Sequence, residues 1–165
     1  MKKHTHVIFG VGLSLCVTNP DVYNTIPVII LSALSSIIPD FDLKIKHRKT
    51  FHNINFMIIY IVLIYVVLRY INSYLNINIL LNINTHTIII AALTGYASHI
   101  VLDSLTLRGV DLFWPFSNKR FGLMTTRFDS KLWNAVLMLI GLLLIILWLK
   151  SRAYDILAYL LNRYS

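Results

Sequence analysis

Residues 133–149, WNAVLMLIGLLLIILWL, run for seventeen positions without one charged side chain. Lipid offers no partner for a backbone N–H or C=O, so such a run can cross a bilayer only as a helix that satisfies its own polar groups. Residues 54–71, INFMIIYIVLIYVVLRYI, form a second run near the roughly 20 residues that a crossing needs. Further apolar stretches fall at about 7–19, 25–39 and 87–107. The first two are short, so they are either thin spans or a tight helical hairpin that enters and leaves on one side. The expected architecture is all-α: an integral membrane bundle of about five helices, one domain over residues 1–165.

Composition supports a membrane chain. It is 57% hydrophobic and 13% charged, where a soluble domain carries about a quarter charged residues. The net charge of +8 fits lipid headgroups and membrane topology better than nucleic acid at this hydrophobicity. Cys16 is the one cysteine, which excludes a disulfide within the chain and leaves metal chemistry to histidine and aspartate. Lys2 and Lys3 before an apolar core imitate a signal peptide, but no small-x-small cleavage motif follows and more spans do, so we expect no cleavage. The uncharged, Asn-rich stretch 72–86 reads as an exposed loop.

Five crossings with the N-terminus inside place eleven of the fifteen basic residues on the inner side; Arg69, Lys150, Arg152 and Arg163 are left outside. The positive-inside rule favours that orientation. It also gathers sequence-distant polar clusters at one cytoplasmic boundary: His4 and His6, the segment 40–52, and the end of the fourth span.

That fourth span ends in SHIVLD, with His99 and Asp103 one helical turn apart on one face, about 6 Å from each other. An imidazole and a carboxylate so spaced suit zinc, manganese or iron, although a simple hydrogen bond between them is the commoner arrangement. The second cluster, PDFDLKIKHRKTFHN, holds Asp40, Asp42, His47, Arg48 and His52. Pro39 ends a helix there, and Thr50 is placed to cap the next one, beginning near Phe51. Four histidines (His6, His47, His52, His99) and three aspartates (Asp40, Asp42, Asp103) at one boundary exceed what hydrogen bonding needs. Crowded carboxylates repel, and divalent cations offset that repulsion; ionisable groups inside a membrane are functional candidates. Arg48 is placed to pair with a phosphate. His86 falls on the opposite side as a solvated residue. Trp114, Tyr70 and Trp148 sit where aromatic belts are expected.

The blocks THVIFG, PDFD, HRKTFH and GYASHIVLDSLTLRGVDLFWPF, in that order, resemble the YdjM-like membrane-bound metal-dependent hydrolases over roughly residues 5–125. The resemblance implies a site of His6, Asp40, Asp42, His47, Arg48, His52, His99 and Asp103, with Thr106 and Gly109 shaping the turn after it. The chain departs from the pattern at Leu43, where members carry a histidine, at Phe51, where the threonine is displaced to Thr50, and at Leu107, where they carry proline. The family is in turn distantly similar to zinc-dependent phospholipase C.

The expected function is hydrolysis of a phosphoester in a lipid or lipid-linked substrate by metal-activated water. Metal ligands are expected among His6, Asp40, Asp42, His47, His52, His99 and Asp103. Asp40, His47 and Arg48 are the candidate catalytic groups. The expected cofactor is zinc, one to three ions, with manganese or iron as alternatives. The expected partners are membrane lipids and no nucleic acid. Two rivals are a proton or metal-ion transporter and a non-catalytic family member that keeps its metal.

Overall fold

The computed structural model describes residues 1–44, 50–75, 83–122 and 127–164. Among them are five α-helices: α1 (Lys3–Thr18), α2 (Val22–Ser35), α3 (Ile54–Leu75), α4 (Thr85–Ser104) and α5 (Lys131–Tyr164). A short 3-10 helix over Ile38–Lys44 follows α2. No strand is formed among the described residues, only an isolated antiparallel bridge between Val110 and Phe121.

Among the described residues, four segments are long and apolar enough to cross a membrane: Val22–Phe41, Ile54–Leu75, Thr85–Ser104 and Lys131–Asp155. At 16 residues, α1 measures about 24 Å, less than a full hydrocarbon core. It nevertheless runs the length of the bundle. At one end Lys2 N–H and Thr5 Oγ1 donate to Asn134 Oδ1 on α5, at 2.9 and 2.8 Å. At the other, Arg152 of α5 donates to the Asn19 side chain that closes α1. Helices α1 and α2 therefore run antiparallel along the bundle, joined at Asn19–Asp21.

The helices alternate up and down, with α4 against α1, α2 and α3, and α5 against α1. Close packing follows from small residues. A Cβ on Gly95 of α4 would stand 2.5 Å from the Ser32 carbonyl oxygen of α2. A Cβ on Gly12 of α1 would stand 2.4 Å from the Gly141 carbonyl oxygen of α5. Only glycine lets these backbones meet. By contrast α3 leans on α4 through few side chains; Tyr60 is its one buried residue, and Ile58, Ile59, Val62, Leu63 and Val66 point outward as a lipid-facing helix should.

Helix ends follow local chemistry. Asp21 caps α2 by accepting from Asn24 N–H, and Asn84 caps α4 by accepting from His86 and Thr87. The cap of α3 differs from the sequence expectation. Its helix starts at Ile54 and not near Phe51, and the side chain of Asn53 accepts from Phe56 N–H at 2.8 Å. Thr50 contributes its carbonyl, which accepts from Asn53 Nδ2. The stretch 72–86 is less of a loop than its composition suggests, because α3 continues through Leu75 and α4 begins at Thr85.

Candidate metal centre

One end of the bundle collects the start of α1, the 3-10 helix, the residue just before the Asn53 cap, and the last turns of α4. The alternating topology brings them together. Buried there, with no solvent exposure, are His6, His52, His99 and Asp103; the Asp40 side chain is 6% exposed.

Asp40, His52, His99 and Asp103 each point one ligand atom at a common centre, with all four atoms within 4.8 Å of one another. The individual separations are informative. His52 Nε2 lies 3.3 Å from His99 Nε2, 3.4 Å from Asp103 Oδ2 and 3.9 Å from Asp40 Oδ1. His99 Nε2 lies 3.6 Å from Asp103 Oδ2 and 3.7 Å from Asp40 Oδ1. Four ligands at ordinary zinc–nitrogen and zinc–oxygen distances of about 2.1 Å form a tetrahedron with edges of about 3.4 Å. Five of the protein's six edges, at 3.3 to 3.9 Å, lie near that figure, and all four atoms fall within 4.8 Å of one another.

Hydrogen bonding at His99 points the same way. Its Nδ1 lies 2.6 Å from the Ser36 carbonyl oxygen, which can only accept, so Nδ1 carries the proton. In the neutral ring Nε2 then presents a lone pair to another imidazole nitrogen and two carboxylate oxygens. That lone pair and two carboxylate oxygens converging in a buried space give a cation its donors. Nitrogen and oxygen donors in this number suit a divalent transition metal, and a carbonyl on the far ring nitrogen is the usual way of fixing a histidine ligand.

Asp103 also faces a second way. Its Oδ1 accepts from the α-amino group of Met1 at 2.7 Å and lies 3.3 Å from His6 Nε2. The His6 ring stacks on His99, with centroids 3.8 Å apart and planes 15° from parallel. Its Nδ1 has no hydrogen-bond partner among the described residues. His6 is thus beside the group of four, bound to it through Asp103 and the ring of His99.

The loop after α4 holds this arrangement in place. Thr106 Oγ1 donates to the Asp103 carbonyl at 2.8 Å, and Gly109, at φ +58°, turns the chain so that its N–H returns to Thr106. Ile54 N–H donates to Leu112 carbonyl and Asn55 Nδ2 to Trp114 carbonyl, tying the start of α3 to that loop. Tyr96 of α4 donates its hydroxyl to the Phe51 carbonyl, which fixes the residue before His52.

A family model described as YdjM inner membrane protein matches residues 1–162. The chain belongs to the YdjM inner membrane protein family. No curated protein and no solved structure matches it. As a YdjM-family chain with four apolar spans, it is an integral membrane protein.

Of the sequence candidates, His6, Asp40, His52, His99 and Asp103 converge in this YdjM-family bundle. The side chain of Asp42, and His47 and Arg48 altogether, lie outside the described residues. Sequence reasoning missed the Ser36 carbonyl and the Met1 amine, because a backbone acceptor and a terminus leave no residue-type signal. It also missed Asn134, 3% exposed, whose amide anchors the start of α1. An asparagine near the beginning of an otherwise unbroken apolar run was the available clue.

Proposed function

We propose that this chain is a membrane-bound, metal-dependent hydrolase that cleaves a phosphoester of a lipid or lipid-linked substrate. What carries the reading is the converging set of His52, His99, Asp40 and Asp103 at the ends of membrane helices, the depth at which a lipid presents its phosphate. These four residues would hold a divalent ion, zinc first among the candidates. When bound, such an ion lowers the pKa of water and polarises a phosphoryl oxygen.

The chain's own groups supply the rest. The Ser36 carbonyl orients His99, and Asp103 spans from that group to His6 and the Met1 amine. A second ion beside His6 would have to take the place of the Met1 amine on Asp103 Oδ1. Asp40 is the least enclosed of the four and is the group to accept a proton from an attacking water. On the segment that follows, His47 is an alternative base, and Arg48 supplies positive charge for a phosphoryl group. We place this end, with the N-terminus, on the cytoplasmic side by the charge bias of the loops.

Transport fits less well. Among the described residues, no buried Asp, Lys, Arg or His lies along the bundle between this end and Asn24 at the other. The interior there offers hydroxyls such as Ser14, Ser32 and Tyr60, and a proton or ion path usually places ionisable groups near the midplane.

The experiment pairs metal content with turnover of phospholipid in detergent-purified protein. Asp40→Asn should weaken metal binding, and with metal supplied in excess should still lose turnover by about 10²-fold or more. His99→Ala/Asp103→Ala should lose both. Turnover that survives the double substitution would sink the proposal.

A further inference from the structure

At the opposite end of the bundle, a cavity of about 290 Å³ opens between the start of α2 and the last third of α5. Among its lining residues are Asp21, Tyr23, Trp148, Arg152, Asp155 and Tyr159. One apolar span begins at Val22 and another ends at Asp155, so the cavity lies at the depth of the headgroup layer, in the leaflet away from Asp103.

Three observations describe what would occupy it. Trp148 is only 5% exposed, and its indole Nε1 has no hydrogen-bond partner among the described residues. Buried indole N–H groups usually donate to something, so an acceptor is missing here. Tyr23 and Tyr159 meet edge to face, with centroids 5.5 Å apart and planes at 83°, giving the cavity an aromatic wall. Arg152 is already committed: Nε donates to Asn19 Oδ1 at 2.9 Å, Nη1 to Asp155 Oδ2 at 2.7 Å, and Nη2 to the Asn19 carbonyl. Asp155 is held by Arg152 and Asp21 caps α2, and with two carboxylates against one guanidinium the lining carries a formal charge of −1.

We propose that this cavity binds the headgroup of an amine-bearing phospholipid. The ammonium sits against the tyrosine rings and the Asp155 and Asp21 carboxylates, and an ester or phosphate oxygen of the same lipid accepts from Trp148 Nε1. Aromatic faces beside acidic groups are the chemistry that recognises alkylammonium ions. A net negative lining disfavours a headgroup with no cation. The volume is near the lower limit for ligand pockets, about 300 Å³, which suits a headgroup and leaves the acyl chains in the bilayer. This inference is independent of the metal centre and of any hydrolysis there.

The full chain, delipidated in detergent, would be titrated with phosphatidylethanolamine or phosphatidylglycerol of identical acyl chains, and bound lipid counted by native mass spectrometry. One phosphatidylethanolamine should bind about tenfold more tightly than phosphatidylglycerol. Trp148→Phe keeps the ring and removes the donor; it should weaken phosphatidylethanolamine binding about fivefold. Asp155→Asn, at a side chain 58% exposed, keeps the shape and removes the charge, and should narrow the preference between the two lipids. The proposal is overturned by equal binding of the two lipids, by preference for phosphatidylglycerol, or by a preference that both variants retain. Equally strong competition from soluble phosphoethanolamine would overturn the lipid as occupant.

Discussion

Asp103 is the residue on which the metal centre turns, because its two oxygens face different partners. Oδ2 points to His52 and His99, and Oδ1 to His6 and the Met1 amine. Asp103→Asn keeps the shape but halves the acceptor capacity and removes the negative charge that a cation needs. We therefore expect Asp103→Asn to weaken zinc binding by well over the roughly 10–100-fold typical of an outer-shell change, and His6→Ala to fall within that range. Competition with a chromophoric chelator separates the two; equal losses would mean that His6 is itself a primary ligand of the same ion. The pair His99 and Asp103 was legible in the sequence because a helix repeats every 3.6 residues and places positions four apart on one face. His52 was legible as a type of ligand but not in its facing. That depends on Asn53 and Phe51, whose roles arise only when α3 and α4 are packed.

At the scale of the element, the start of α3 is the weak link between sequence and site. His52 sits immediately before the Asn53 cap, and the cap accepts from Phe56 N–H. Losing an N-cap costs about 1 kcal/mol in a helix, and here fraying would also release the backbone that carries a metal ligand. Asn53→Ala is expected to lower stability by about 1 kcal/mol and to weaken metal binding, while Thr50→Ala, which leaves the carbonyl in place, should do neither. Thermal melts of the two variants with and without zinc decide this. Sequence reasoning chose Thr50 because hydroxyls cap helices well and the helix was expected to begin near Phe51. Asparagine is an equally good cap, and the chain's connection from Ile54 to Leu112 sets the boundary three residues later. The middle spans were read to within about four residues, since twenty apolar residues admit few other structures, whereas α5 runs on to Tyr164, past the apolar run that ends at Leu149.

At the scale of the molecule, the ligands come from separate parts of the chain: the 3-10 helix, the lead into α3, and α4, with His6 on α1 beside them. A bound ion would therefore tie together elements that otherwise meet through small-residue contacts. Metal at about a hundred times its Kd would add about 2.7 kcal/mol to stability, so chelation should lower Tm in the parent protein and leave the Asp103→Asn variant unmoved.

The same topology makes orientation testable. All of His6, Asp40, His52, His99 and Asp103 lie at the end where α1, α3 and α5 begin, and that end carries Lys2, Lys3, Arg108, Lys119, Arg120 and Lys131. Arg69, Lys150, Arg152 and Arg163 belong to the other. Basic residues are retained on the cytoplasmic side during insertion, so the metal centre should face the cytoplasm. In a Cys16→Ser background, a membrane-impermeant thiol reagent applied to intact cells should label Tyr154→Cys, where the tyrosine is 85% exposed beyond Arg152, and spare Asn118→Cys on the loop after α4. Permeabilised cells should show both labelled. The reverse pattern would put the centre on the outer face and direct it to a different leaflet of lipid. A cytoplasmic centre, by contrast, would confine its substrates to lipids whose phosphates are presented on that face. Charge bias and site position thus bear on one question: which headgroups the buried aspartates can meet.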